Sequence, residues 1–114
     1  MEIVKEKIAI AQLKEMSQKM FGNLVKAVVD VNRRKIAVDA DLHSDQEALL
    51  LEDGSKQQDI WGINIYPELD LTDPGFIEFD SMINLRPSQG NRSRGVENPE
   101  MQEKIIRIVR DWIK

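Results

Sequence analysis

Two groups of residues in this chain have the types and spacing that chemistry requires. The first is the ten-residue run Arg86-Pro87-Ser88-Gln89-Gly90-Asn91-Arg92-Ser93-Arg94-Gly95. It holds three arginines, two serines, a glutamine and an asparagine, with no acid and no large apolar side chain. Its two glycines let backbone amides point outward, and the planar fork of arginine suits phosphate or carboxylate. Arg86, Ser88, Gln89, Asn91, Arg92, Ser93 and Arg94 are therefore candidate anion ligands. The run leads toward the last helix, whose free N-terminal N–H groups and dipole favour an anion. It is not a Walker loop, because no Gly-Lys-Ser/Thr follows, and it is not the G-x-G-x-x-G fingerprint. Loops this long in a compact domain are more often functional. The plainer alternative is a solvated loop whose arginines pair with acids elsewhere in the chain.

The second group comes from strand alternation, which sends successive side chains to opposite faces. In 35–42, Ile36, Val38, Ala40 and Leu42 share one face; Ala37, Asp39, Asp41 and, if the strand continues, His43 share the other. In 76–86, Ile77, Phe79, Ser81, Ile83 and Leu85 oppose Phe76, Glu78, Asp80, Met82, Asn84 and Arg86. With the apolar sets inward, the open sheet face would gather Asp39, Asp41, His43, Glu78, Asp80, Asn84 and Arg86. Crowded carboxylates with an imidazole could hold a hard divalent cation such as Mg²⁺. They could also perform general acid–base chemistry, with His43, Asp80 and Glu78 as the catalytic candidates. His43 is the only histidine and the one side chain here that titrates near neutrality when unperturbed. The plainer alternative is a face that is polar because it meets water.

These residues need elements to position them. Residues 2–5 read as a short strand. Apolar residues at 10, 13, 16 and 20 mark one helix face, with Gly22 at its end and Ala9 as a weak cap. Residues 24–31 and 35–42 form a hairpin around Asn32-Arg33-Arg34. Ser44 and Glu47 have capping-box spacing for a helix that stops near Gly54. Residues 58–66 read as a third strand closed by Pro67, in which Gly62 marks a bulge or a close backbone approach. Trp61 and Tyr66 could stack a base, but core and rim packing is the simpler role. Residues 68–75 are a loop, and 76–86 form one long or two short strands. Asn98 caps the last helix, with Pro99 at its first position and a stripe of Met101, Ile105, Ile108, Val109, Trp112 and Ile113. The expected fold is α+β: a mainly antiparallel sheet of four or five strands with the N- and C-terminal helices covering one face and a short helix after the first hairpin.

The chain has 114 residues, 41% hydrophobic and 32% charged, which fits one domain over 1–114. It has no cysteine, which removes thiolate zinc, iron–sulfur ligation and cysteine nucleophiles; no haem-attachment motif is present either. No apolar run is long enough to span a membrane. The N-terminus carries scattered charge and lacks an apolar signal-peptide core, so the expected location is the cytoplasm. Charge is segregated: residues 1–38 carry a net of +4, residues 39–80 a net of −11 with Lys56 as the only cation, and residues 81–114 a net of +3.

Three runs carry a resemblance. They are Leu42-His43-Ser44-Asp45-Gln46-Glu47; Gly54-Ser55-Lys56-Gln57 through Trp61-Gly62-Ile63-Asn64-Ile65-Tyr66-Pro67; and, most specific, Ile77 through Arg94 (IEFDSMINLRPSQGNRSR). From about Leu13 to Ile113 the chain resembles a small prokaryotic family known only as a conserved domain of unknown function. The resemblance implies no activity, cofactor or catalytic residue. Three readings of function follow from the residues themselves. The chain is a binding module for a phosphate-bearing or anionic ligand, a nucleotide or RNA, through the Arg86–Arg94 loop. Alternatively it is a small phosphoester hydrolase or nuclease using His43 with Glu78 and Asp80. In the third reading it is a homo-oligomeric interaction protein, for example a homodimer, without a small-molecule site. Whether it is an enzyme stays open at this point.

Overall fold

A computed structural model describes the whole chain, Met1 to Lys114. Its elements in chain order are β1 (Glu2–Ile3), α1 (Ile10–Lys19), β2 (Val25–Asp30), β3 (Lys35–Val38), α2 (His43–Glu52), β4 (Ile60–Ile65), β5 (Ile77–Glu78) and α3 (Pro99–Trp112). Single 3₁₀ turns lie at Gln57–Asp59, Met82–Asn84 and Pro87–Gln89. The fold is α+β, as expected. No helix is long and apolar enough to cross a membrane.

The β2–β3 hairpin supplies two of the three inner strands of the sheet. Its turn is held by the buried carboxylate of Asp30, which accepts from the backbone N–H groups of Asn32 and Arg33 at 2.9 Å each and from the Ser55 hydroxyl at 2.6 Å. Every strand pairing is antiparallel, in the order β1-β3-β2-β4-β5. Strand β2 lies at the centre, where Val28 stands opposite both Ala37 of β3 and Gly62 of β4.

The two sheet faces are covered unequally. On one face, Val25, Ala27, Val29, Ile36, Val38, Ile63 and Ile65 pack against Leu13 of α1 and Ile105, Ile108 and Val109 of α3. Asn98 caps α3 as its sequence requires, accepting from the Glu100 N–H at 2.8 Å. Ala9 has no side-chain acceptor, and the Gln12 side chain instead reaches back to its N–H at 2.8 Å. On the other face, Val28, Ala37 and Ile60 are fully buried or nearly so under Leu50 of α2. This face was expected to be open. Its centre is apolar, so leaving it to water would expose three core side chains, and α2 covers it.

Covering that face requires shorter strands than the alternation suggests. Strand β3 stops at Val38, because Asp39 turns the chain with φ 64°. Asp39 then lies 3.9 Å from the N-terminal ammonium and Asp41 is exposed, so neither joins the face that was to hold them. Helix α2 starts at His43, with Leu42 as its N-cap and no side-chain cap, so Ser44 sits inside the helix and the Ser44/Glu47 box does not form. Burying His43 and Gln46 sets the helix start two residues earlier than capping alone would. The 76–86 run keeps only two residues in the sheet, Ile77 and Glu78, before turning through Met82–Asn84.

Gly62 explains that departure. A Cβ built there would lie 2.5 Å from Cβ and Oγ of Ser81. The 79–84 segment therefore presses directly on the β4 backbone, without a bulge, since β2–β4 pairing is continuous from Val25↔Ile65 to Asp30↔Ile60. Replacing Gly62 with alanine forces this contact apart. Gly62→Ala should lower the unfolding free energy by about 1–3 kcal/mol, read from a lower urea midpoint at unchanged slope.

Candidate functional site

The arginine-rich run is built from the inside by two buried asparagines. The side chain of Asn84 sits against β4 like a piece of missing strand. It accepts from the Gly62 N–H at 2.8 Å and donates to the Gly62 carbonyl at 3.0 Å and to the Arg94 carbonyl at 2.9 Å. The Asn91 amide donates to the carbonyls of Asn84 (2.7 Å), Gly95 (2.8 Å) and Ser93 (3.2 Å) and accepts from the Glu97 N–H (2.9 Å). Arg86 and Asn91 exchange backbone hydrogen bonds, and Gly90 closes the turn between them with φ 84°.

Of the seven candidate anion ligands, the structure turns some inward and some outward. The Arg86 guanidinium lies 4.0 Å from the Trp61 ring and donates to the carbonyls of Gln57 and Ile60, so it braces the outer edge of β4. Burial disfavours its charge, and Glu47 and Asp59 partly offset that. Asn91 is a scaffold residue. Gln89 donates to the Gln58 carbonyl at 3.2 Å. Ser88, Arg92, Ser93 and Arg94 are exposed. Arg92 contributes its backbone N–H to Glu97 while its side chain makes no ion pair, and the Ser93 hydroxyl accepts from the Gly95 N–H.

Arg94 joins the loop to the sheet. Its Nε donates to Asp80 Oδ1 at 2.7 Å. Beside this pair the α2 face of the sheet carries a polar patch. The cross-strand pairs Lys26↔Asn64 and Asn64↔Glu78 line up three polar residues on β2, β4 and β5. Glu78 accepts from the Asn64 amide at 2.8 Å and the Tyr66 hydroxyl at 2.9 Å. Burial and the Glu78 carboxylate push the Tyr66 hydroxyl pKa up.

His43 completes the patch at the start of α2. It is 7% exposed, and its Nε2 lies 2.7 Å from the Ile63 carbonyl. A carbonyl only accepts, so Nε2 carries the proton and Nδ1 keeps its lone pair. Burial lowers the imidazole pKa most; the Ile63 carbonyl raises it, Lys26 lowers it, Asp80 raises it and Arg94 lowers it. His43, Lys26, Asp80 and Arg94 therefore share one electrostatic neighbourhood. The ring is neutral at neutral pH and offers an acceptor. His43, Glu78 and Asp80, expected together on one face, do fall in one region, but no three His, Asp or Glu side chains are close enough to share a metal ion.

The family of the chain follows from its length of match. The family model described as "Protein of unknown function (DUF5674)" covers residues 2–112. The chain belongs to this family. No curated protein and no solved structure matches it. In this DUF5674 chain, then, function has to be read from side chains.

Three patch residues escaped sequence reasoning, Lys26, Gln46 and Asn64, while Tyr66 was weighed only as a base-stacking or rim side chain. A signal for each of the three exists. Asn64 interrupts an otherwise apolar strand, Lys26 stands within an apolar run that is otherwise polar only at its end, Asp30, and Gln46 follows His43 by three on the helix face that Leu50 also occupies. Pairing Lys26 with Asn64 needed the strand order.

The His43 environment predicts a pH dependence. The unfolded imidazole protonates near 6.5 and the folded one below it. Between those values the unfolded chain binds more protons, so stability falls as pH drops below about 6.5. Urea midpoints should decline on acidification through that window, and the decline should shrink in His43→Gln. The imidazole proton resonances of the folded protein should titrate below the free-histidine midpoint.

Proposed function

We propose that this protein binds a phosphate-bearing ligand, a nucleotide or single-stranded RNA, at the outward side of the 92–94 loop beside the Lys26–His43 patch. The observation that carries this reading is the loop's construction. Two buried asparagines fix its backbone, and that leaves Arg92, Ser93 and Arg94 exposed in sequence. A preorganised loop loses little conformational entropy on binding, and two guanidiniums with a hydroxyl between them match phosphate oxygens. Lys26 on β2, whose charge acts on His43 as that of Arg94 does, adds a third cation to the neighbourhood. Arg86 supports the site from behind, by bracing the β4 edge. Asp80 neutralises Arg94 in the free protein, so an anion would share or replace that ion pair. An exposed pair of this kind contributes little to stability, so exchanging it is not a large loss.

The test is thermal unfolding and titration against inorganic phosphate, nucleotides and short RNA. Binding at 100 times the dissociation constant adds about 2.7 kcal/mol of stability, which raises the midpoint by several degrees. Arg92→Ala/Arg94→Ala should abolish the shift, since neither side chain supports the fold. For single strands the dependence of log affinity on log salt should weaken by about 0.7 for each phosphate contact removed. Equal binding by the double variant would overturn the reading.

One observation favours a second reading, hydrolysis of a phosphoester. His43 has a free Nδ1 and a neutral ring, the state a general base needs, and Arg94 could stabilise charge developing on phosphate. Asp80 would orient Arg94 and Glu78 would hold Asn64 and Tyr66. Cleavage of a phosphodiester by the wild type, lost in His43→Gln but with binding retained, would establish it. Binding without turnover would leave the first reading alone.

A further inference from the structure

Beside the loop, two buried amide side chains each satisfy one end and not the other. The Gln46 Nε2 donates to the Lys26 carbonyl at 2.7 Å, and the Asn64 Nδ2 donates to Glu78 at 2.8 Å. Each nitrogen faces an acceptor, so neither amide can be turned round, and the atoms left over are carbonyl oxygens. Gln46 Oε1 and Asn64 Oδ1 have no partner, although the residues are 0% and 6% exposed. Native proteins rarely leave such acceptors unpaired.

These oxygens belong to one place. Lys26 and Asn64 are direct cross-strand partners, Gln46 bonds the Lys26 carbonyl, and His43 bonds the carbonyl of Ile63, the residue before Asn64. The Nδ1 lone pair of His43 is a further acceptor. Gln46 has its amide here because the Lys26 carbonyl lies beyond the end of β3, where no strand remains to pair with it. The two carbonyl oxygens are thus the buried acceptors of this patch that no donor of the chain reaches. The charges beside these oxygens are already balanced, Arg94 by Asp80 and Lys26 by the Glu78 carboxylate on Asn64, so a free cation is not what the two neutral carbonyls call for. A neutral N–H donor satisfies them without adding charge.

We infer that the ligand carries, with its phosphate, the exocyclic amino group of a nucleobase, and that Gln46 and Asn64 accept its two N–H bonds. The inference rests on the phosphate-binding reading above. Lys26 and Arg94 would then face the phosphate; the Lys26 ammonium lies 5.4 Å over the Phe21 ring, and swinging this half-buried side chain from its place across from Asn64 would give the ligand both its charge and access to the two oxygens. An amino group offers two donors from one atom. The oxo bases uracil and hypoxanthine offer a single ring N–H flanked by carbonyl oxygen, which would meet the remaining acceptor head on.

Calorimetric titration of the intact protein tests this with AMP against IMP, CMP against UMP, and inorganic phosphate alone. Each amino nucleotide should bind about tenfold or more tightly than its oxo partner, a difference of about 1.4 kcal/mol. Asn64→Leu should bring the ratio close to one while nucleotide binding persists. Short oligo(A) and oligo(U) repeat the comparison on single strands. A preference seen only there would make the ligand a strand rather than a free nucleotide. Equal binding of amino and oxo partners, or a preference unchanged in a folded Asn64→Leu variant, would overturn the inference and leave the phosphate reading standing. No binding by any nucleotide or strand would overturn both. The wild-type comparison is decisive even where the variant fails to fold.

Discussion

The outer edge of β4 is the constraint on which the rest of this structure depends. A strand in mid-sheet must find partners for its backbone on both sides. On one side β4 has β2 along its whole length. On the other, β5 reaches only Asn64 and Ile65. The gap is closed by side chains: Asn84 pairs with both polar groups of Gly62, and Arg86 takes the Ile60 carbonyl. For those side chains to arrive, the 79–86 segment must lie flat on β4, and for that Gly62 must lack a Cβ. Once Asn84 is seated, its third hydrogen bond fixes the Arg94 carbonyl, and Arg94 is then held next to Asp80. A requirement of sheet chemistry thereby determines where the exposed arginines stand.

Much of this architecture was legible in the sequence, and the illegible part has one cause. Helix α3, the hairpin, the central strands and the close approach at Gly62 follow from local patterns: a 3.6-residue stripe, β-branched runs around a polar turn, a glycine inside an apolar strand. The strand ends did not follow. Asp39, Ser81 and Asn84 continue the alternation on paper, but tertiary contacts remove them from the sheet. Alternation carries no information about where a neighbouring strand stops. The same ignorance misjudged the second face: Ala37 and Val28 needed cover, and the only element free to supply it was α2. With α2 there, His43 became a buried, oriented ring rather than the end of a strand. The polar residues around it, Lys26, Gln46 and Asn64, could be joined only after the β1-β3-β2-β4-β5 order was known.

The segregation of charge along the chain has a simple resolution in space. Arg33 and Lys35 of the hairpin both pair with Asp53 at the end of α2, which keeps that carboxyl below its usual range. Lys14 faces Glu68 and Arg94 faces Asp80. Basic outer segments thus sit against the acidic middle one. These contacts are mostly exposed and individually weak. The buried part of the same network, Asp30 with Ser55 and the hairpin turn, joins β2 to the end of α2 without exposure to salt.

The side-chain plug on β4 also bears on how this molecule meets copies of itself. An uncovered strand edge is a template for adding strands from another chain. Asn84 and Arg86 occupy that template at β4, the longest edge the short β5 leaves bare. What is left at the two borders of the sheet, β1 and β5, is two residues each. Strand-by-strand extension into larger sheets therefore meets only short edges, and the residues that shape the loop are the ones that fill the longer one.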